Sequence, residues 1–208
     1  MPFLPVSKFV PSGCSNVFGI DEVGRGPWAG PVVGCVLAFK PGVNLYGIDD
    51  SKKLSAEERE NLFEKITKNT WFGIGIVDNH EIDKWGLRKA TNESFIRAIK
   101  DLGSKHGAPE PDFLLVDGRD RLQLPYKFKT IIKGDAKVKI IAAASIVAKV
   151  TRDRLMTDMA DKYPEYGFES HKGYGTEHHQ KAIRQFGLCE IHRKSFKPIA
   201  DLFQSTLF

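Results

Sequence analysis

Apolar positions fall in two different rhythms along the chain. Val17–Asp21 and Val32–Phe39 are almost continuously apolar, the mark of strands buried on both faces. Between them the stretch GIDEVGRGPWAG, residues 19–30, gathers acids, an arginine and glycines, and reads as a hairpin-like connection. Trp71–Val77 alternates Phe72, Ile74 and Ile76 with two glycines, as a strand with one crowded face would. Phe113–Val116 is a short strand ending in Asp117 and Gly118, and Lys127–Ile132 predicts another.

The second rhythm is helical. Ser55-Ala-Glu-Glu58 forms a capping box that opens a helix with Leu62, Phe63 and Ile66 on one face. Leu87, Ala90, Phe95 and Ile99 predict one long helix from about residue 81 to 105, and an alanine-rich helix runs from Ile140 to about Lys162. After Pro164 come a loop rich in glycine and histidine, a helix from Thr176 closed by Gly187, and a helical tail. Strands first, then strands alternating with helices, then helices alone predict an α/β core with a helical cap.

Composition narrows the class. Hydrophobic residues make up 41% and charged residues 27% of the 208, enough for a real core, and the net charge of +5 leans towards a polyanionic partner. Cys14, Cys35 and Cys189 are widely spaced, which argues for a reducing compartment and against a disulfide framework or zinc ribbon. His178 and His179 are adjacent, so on a helix they point in different directions and do not share a metal easily. The longest apolar runs fall far short of a membrane span and the N-terminus lacks the pattern of a signal peptide, so the cytoplasm is the expected location. No Walker loop, dinucleotide fingerprint or Gly-x-Ser-x-Gly elbow is present.

The acids carry the chemistry. Asp21 and Glu22 follow one strand, Asp117 ends a second, and Asp135 follows a third in IIKGDAKVK. Carboxylates gathered from strand ends raise one another's pKa and oppose folding unless a cation lies between them, and oxygen-only ligands favour Mg²⁺ or Mn²⁺ over zinc. Each acid is also an ordinary turn former or helix cap, and Asp49 and Asp50 read as turn residues alone. Spacing does not prove convergence, so these residues by themselves support a candidate two-metal site and no more.

Basic and aromatic groups add a second layer. Ser145, Lys149 and Arg152 share one helical face, which is either solvated or, beside an acid cluster, a phosphate contact to which Lys52 and Lys53 add. Tyr174, between two glycines in HKGYGT, either packs under its own loop or exposes a ring for stacking on a sugar or base.

Together GIDEVGRGPWAGPVV, DSKKLS, LLVDG, KGDAK, AAASIVAKVTRDR, HKGYGT and GLCEIHRKSFKPI resemble the ribonuclease HII family, type 2 ribonuclease H, over nearly the whole chain. The resemblance implies a ribonuclease H-like mixed sheet flanked by helices over 1–162, with a C-terminal helical segment over 163–208 completing the substrate groove. It assigns Asp21, Glu22, Asp117 and Asp135 as catalytic metal ligands for two Mg²⁺ or Mn²⁺ ions. The implied reaction cuts the RNA strand of RNA–DNA hybrids, and single ribonucleotides embedded in duplex DNA, leaving 5′-phosphate and 3′-hydroxyl ends. Gly24, Arg25, Gly26 and Tyr174 would read the 2′-hydroxyl. A hybrid-binding module without catalysis would need the acids to be structural, and the sister ribonuclease HIII usually carries an extra N-terminal domain; both fit less well. A monomer is expected. Gln204–Phe208, QSTLF, resembles the short peptides that dock on bacterial sliding clamps, although Ile199, Leu202, Phe203 and Leu207 also have the spacing of a helix packed on the core.

Overall fold

The computed structural model describes residues 2–204. Its centre is a five-stranded mixed sheet of order β3-β2-β1-β4-β5, made by β1 (Val17–Val23), β2 (Val32–Phe39), β3 (Thr70–Val77), β4 (Phe113–Asp117) and β5 (Phe128–Ile131). The first three strands form an antiparallel meander; β4 and β5 extend it in parallel with β1.

Helices cover both faces. They are α1 (Ala56–Asn69), α2 (Asn79–Trp85), α3 (Leu87–Gly103), α4 (Gly134–Lys137), α5 (Lys139–Lys162), α6 (Phe168–His171), α7 (Glu177–Phe186) and α8 (Lys197–Gln204). Ser55 caps α1 with both halves of the expected box, its side chain on the Glu58 amide and Glu58 on the Ser55 amide. The long helix expected over 81–105 is instead two, because Gly86 takes φ 78°, which breaks the α-helical path between α2 and α3.

Glycines set how close the layers come. A Cβ on Gly73 or Gly75 would run into the α3 backbone at Ala98, Leu102 and Ser94, so the glycine face of β3 is the crowded one. Gly19 does the same for the opposite face, where a Cβ would lie 2.6 Å from the Ile140 carbonyl at the start of α5. The period-two pleat then turns Asp21 to the α5 face and Glu22 to the other.

A second apolar cluster joins Ala29 to Met156, Ala160, Tyr166, Phe168, Ala182, Ile183 and Ile199, packing the C-terminal helices onto the end of α5 and onto the β1–β2 connection. No described helix is long and apolar enough to cross a membrane.

Candidate active site

The four acids line one cleft, together with Ser51, Lys52, Ser145, Lys149 and Tyr174. Asp21 and Glu22 lie inside β1 rather than after it, and Asp117 is the last residue of β4. Because β4 stops there, the β4-side edge of β1 is open beside Glu22. Asp135 sits in the single turn of α4, entered through Lys133 in a left-handed conformation, φ 56°. The Gly134 amide donates to Asp117 Oδ1 at 2.6 Å, tying the α4 turn to the end of β4.

Like charge and burial shape this cleft. Burial, reinforced by Glu22 and Asp117, holds the Asp21 carboxyl well above the usual carboxylate range. Burial pushes Glu22 up to about 7, opposed by Arg25 and assisted by Asp117. Asp117 is raised by burial and then by Asp135. Lys52 Nζ approaches Asp135 at 3.4 Å, and Arg25 bridges Glu22 at 3.4 Å and Asp120 at 2.5 Å. Among the described residues no three metal-binding side chains close on a single point. Buried, mutually repelling and all-oxygen, the set fits hard cations that take one or two carboxylates each and fill their shells with phosphate and water oxygens.

Larger hollows exist elsewhere, of about 330 and 540 Å³ against about 190 Å³ here. The first is lined by opposite charges already paired, Arg154 on Glu60, and the second by the N-terminal segment.

The basic stripe divides. Ser145 faces the cleft, 3.0 Å from Ser51 Oγ, and Lys149 lines it while pairing with Asp153 at 2.7 Å. Lys53 turns to Asp49 at 3.1 Å and is not part of the lining. Arg152 is a correction: it is fully buried, outside the cleft lining, and its guanidinium donates to the carbonyls of Pro31, Ala29 and Lys172 at 2.9–3.0 Å, so it holds backbone and does not face a phosphate. Helical phase alone placed it with Ser145 and Lys149, but the β1–β2 connection folds over that end of the helix.

Arg193, which sequence reasoning did not single out, is the counterpart. Also fully buried, it donates to the carbonyls of Gly24, Arg25 and Gly30. The carbonyls of Gly24 and Arg25 are therefore turned inward and not towards the cleft. Gly24 has φ 96°, and a Cβ there would meet Pro31 O at 2.5 Å and the Arg152 side chain. Its glycine is demanded by this packing, whatever approaches from outside. Tyr174 is 44% exposed, and a Cβ on Gly26 would lie 3.4 Å from its ring. The ring thus overhangs the Gly-Arg-Gly turn at the rim of the acid cleft, joining the two loops that the sequence placed far apart.

A mixed sheet of this order, with carboxylates on its adjacent central strands β1 and β4 and on the α4 turn, and a basic, serine-lined wall beside them, defines a ribonuclease H-like nuclease. Residues 18–199 match the family model described as ribonuclease HII. A ribonuclease HII of Bacillus thuringiensis (strain Al Hakam) is 45% identical over 207 residues, covering 97% of this chain and 78% of the relative. Among solved structures, the ribonuclease H2 of Pyrococcus horikoshii OT3 superposes with TM-score 0.74 at 28% identity, covering 92% of this chain and 98% of that one. The ribonuclease HII of Archaeoglobus fulgidus, solved in a complex with PCNA, gives TM-score 0.74 at 25% identity, with 88% and 96% covered. The chain belongs to the ribonuclease HII family, an RNA–DNA-directed ribonuclease H.

Proposed function

We propose that this enzyme cuts both the RNA strand of hybrids and the lone ribonucleotide in duplex DNA, on its 5′ side, by a two-cation mechanism. The observation that carries the reading is the meeting of Asp21, Glu22, Asp117 and Asp135 with the exposed Tyr174 in one cleft. Asp21, Glu22, Asp117 and Asp135 would hold Mg²⁺ or Mn²⁺. The chemistry such cations supply when bound is activation of the attacking water and stabilisation of the leaving 3′ oxygen, giving 5′-phosphate and 3′-hydroxyl ends. Lys52, Lys149 and Ser145 line the path of the phosphates, Lys52 trading its contact with Asp135 for the substrate. Tyr174 stacks on the sugar at the RNA–DNA junction, and the Gly-Arg-Gly turn below it leaves room for a ribose edge. The C-terminal helices complete the groove by carrying that tyrosine. The test is cleavage of one duplex with a single ribonucleotide beside an all-ribonucleotide hybrid, with and without Mg²⁺. Cleavage without a divalent cation, or of the hybrid alone, would refute the reading.

The clamp-docking motif Gln204–Phe208 begins at the last residue of α8, and 205–208 lie outside the described residues. The PCNA complex of the Archaeoglobus relative supports docking of this tail on a sliding clamp. Fluorescence anisotropy of the labelled C-terminal peptide with a clamp, against the Leu207→Ala/Phe208→Ala peptide, tests it; equal signals from the two peptides would end the idea.

A further inference from the structure

Three histidines of the C-terminal segment, His171, His179 and His192, are buried side by side. None of them lines the acid cleft, and with neutral rings the shorter hydrogen bonds favour one arrangement of protons. The Tyr174 carbonyl lies 2.9 Å from His179 Nδ1. A carbonyl only accepts, so Nδ1 carries the proton, and Nε2 of the neutral ring is an acceptor. That Nε2 lies 3.0 Å from His192 Nε2, so His192 must donate there. Its own Nδ1 is then the acceptor, and the Cys189 amide donates to it at 3.0 Å. The alternative, His192 Nδ1 donating to the Cys189 carbonyl at 3.2 Å, reverses the chain and leaves His179 Nδ1 with a lone pair against the Tyr174 carbonyl.

The chain ends on both sides in the substrate loops. His171 stacks on His179 at 4.6 Å, accepts from the Gly173 amide through Nδ1 at 3.2 Å, and its carbonyl accepts from the Tyr174 amide at 2.9 Å. His192 pairs with Ala29 in a β-bridge and precedes Arg193, which holds the Gly-Arg-Gly turn. A path of hydrogen bonds joined by the His192–Arg193 backbone therefore runs from the base of that turn to the backbone of Tyr174.

We propose that His179 and His192 are positioning residues: a one-way relay of two neutral imidazoles sets the Tyr174 ring over Gly26 and thereby the enzyme's discrimination between a lone ribonucleotide and a run of them. A second proton on His179 would fall on Nε2 and set two donors against each other at its contact with His192, breaking the relay, whereas one on His192 would fall on Nδ1, against the Cys189 amide. Burial keeps both rings neutral, lowering each to about 4. The titratable groups facing the pair, His171, His178, Tyr166 and Cys189, add no negative charge at neutral pH that would reverse this. The selectivity role rests on the substrate reading above; the relay itself does not.

Two measurements separate these. Long-range ¹H–¹⁵N imidazole spectra of the wild-type protein at pH 7, without substrate, should show His179 protonated on Nδ1 and His192 on Nε2. Identical tautomers, or a charged ring, would overturn the relay. Then His179→Leu should lower cleavage at a lone ribonucleotide about 5- to 10-fold, the factor one neutral hydrogen bond is worth, and change hybrid cleavage less than twofold. His179→Asn, whose amide nitrogen falls where Nδ1 was, should recover most of the loss. Equal losses on both substrates, or no rescue by asparagine, would overturn the positioning role. Wild-type protein with the expected tautomers that cuts neither duplex would refute the substrate reading instead.

Discussion

Arg193 donates to the carbonyl of Gly24 at 2.6 Å, across 169 residues of chain. The same guanidinium reaches Arg25 and Gly30, so one side chain holds a whole turn by its inward carbonyls. Arg193→Met keeps the volume of the stem but orphans three acceptors, and should cost about 3 kcal/mol or more in urea unfolding. Arg193→Lys should recover little, because one ammonium does not span the fork that the guanidinium presents. A loss under about 1 kcal/mol in the Met variant would show that water satisfies the turn equally well.

Asp21→Asn should lower cleavage by about 10³-fold or more while hybrid binding persists, since the lysines and serines that line the cleft are unchanged. Without metal its melting temperature should hold or rise, because one of the crowded charges is gone. An unfolded variant, or one with near-normal turnover, would contradict the assignment. Asp135→Asn should behave in the same way.

Tyr174→Ala should reduce cleavage at a lone ribonucleotide about tenfold and affect hybrids less, because on the proposed reading that substrate offers a single ribose for the ring to position. Tyr174→Phe should be milder, as it keeps the ring. The ratio of the two rates, measured on both substrates, is the readout; equal losses would make the ring a structural part of its loop.

The histidine pair predicts a pH signature. His179 and His192 titrate near 4 in the folded protein and near 6.5 in the unfolded chain. A lowered folded pKa means that their contribution is fully present above about 6.5 and is lost as pH falls towards 4. Glu22 and Asp21 are raised, so they act in the opposite direction over part of this range. Wild type and His179→Leu should therefore be compared: the variant's urea midpoint should fall less between pH 7 and pH 4.5. Parallel pH curves would show that His179 does not resist protonation.

Much of the fold was legible because its signals are local. Both halves of the Ser55 box, the apolar strands and the alanine-rich helix each depend on neighbours within a turn or a strand. Gly86 was harder: its spacing neighbours on both sides fit one helix, and only the backbone reversal divides it. The acids were conspicuous in the sequence, although Asp21 and Glu22 lie within β1, and their lining one cleft depends on β4 lying beside β1, a pairing of residues about a hundred positions apart. Arg152 read as a phosphate contact or a solvated residue because helical phase says nothing of which loop will cover it. The pairing of His179 with His192 had no sequence signal at all, since thirteen residues of helix and turn separate them.

The reach of Arg193 back to Gly24 has a further meaning while the protein is being made. The β1–β3 meander needs only nearby chain and can form early in synthesis, carrying Asp21 and Glu22 with it. Asp117 and Asp135 arrive later, and the turn beside the acids is secured only when Arg193 has left the ribosome. The rim of the acid cleft is thus held by a residue that emerges long after the meander it secures.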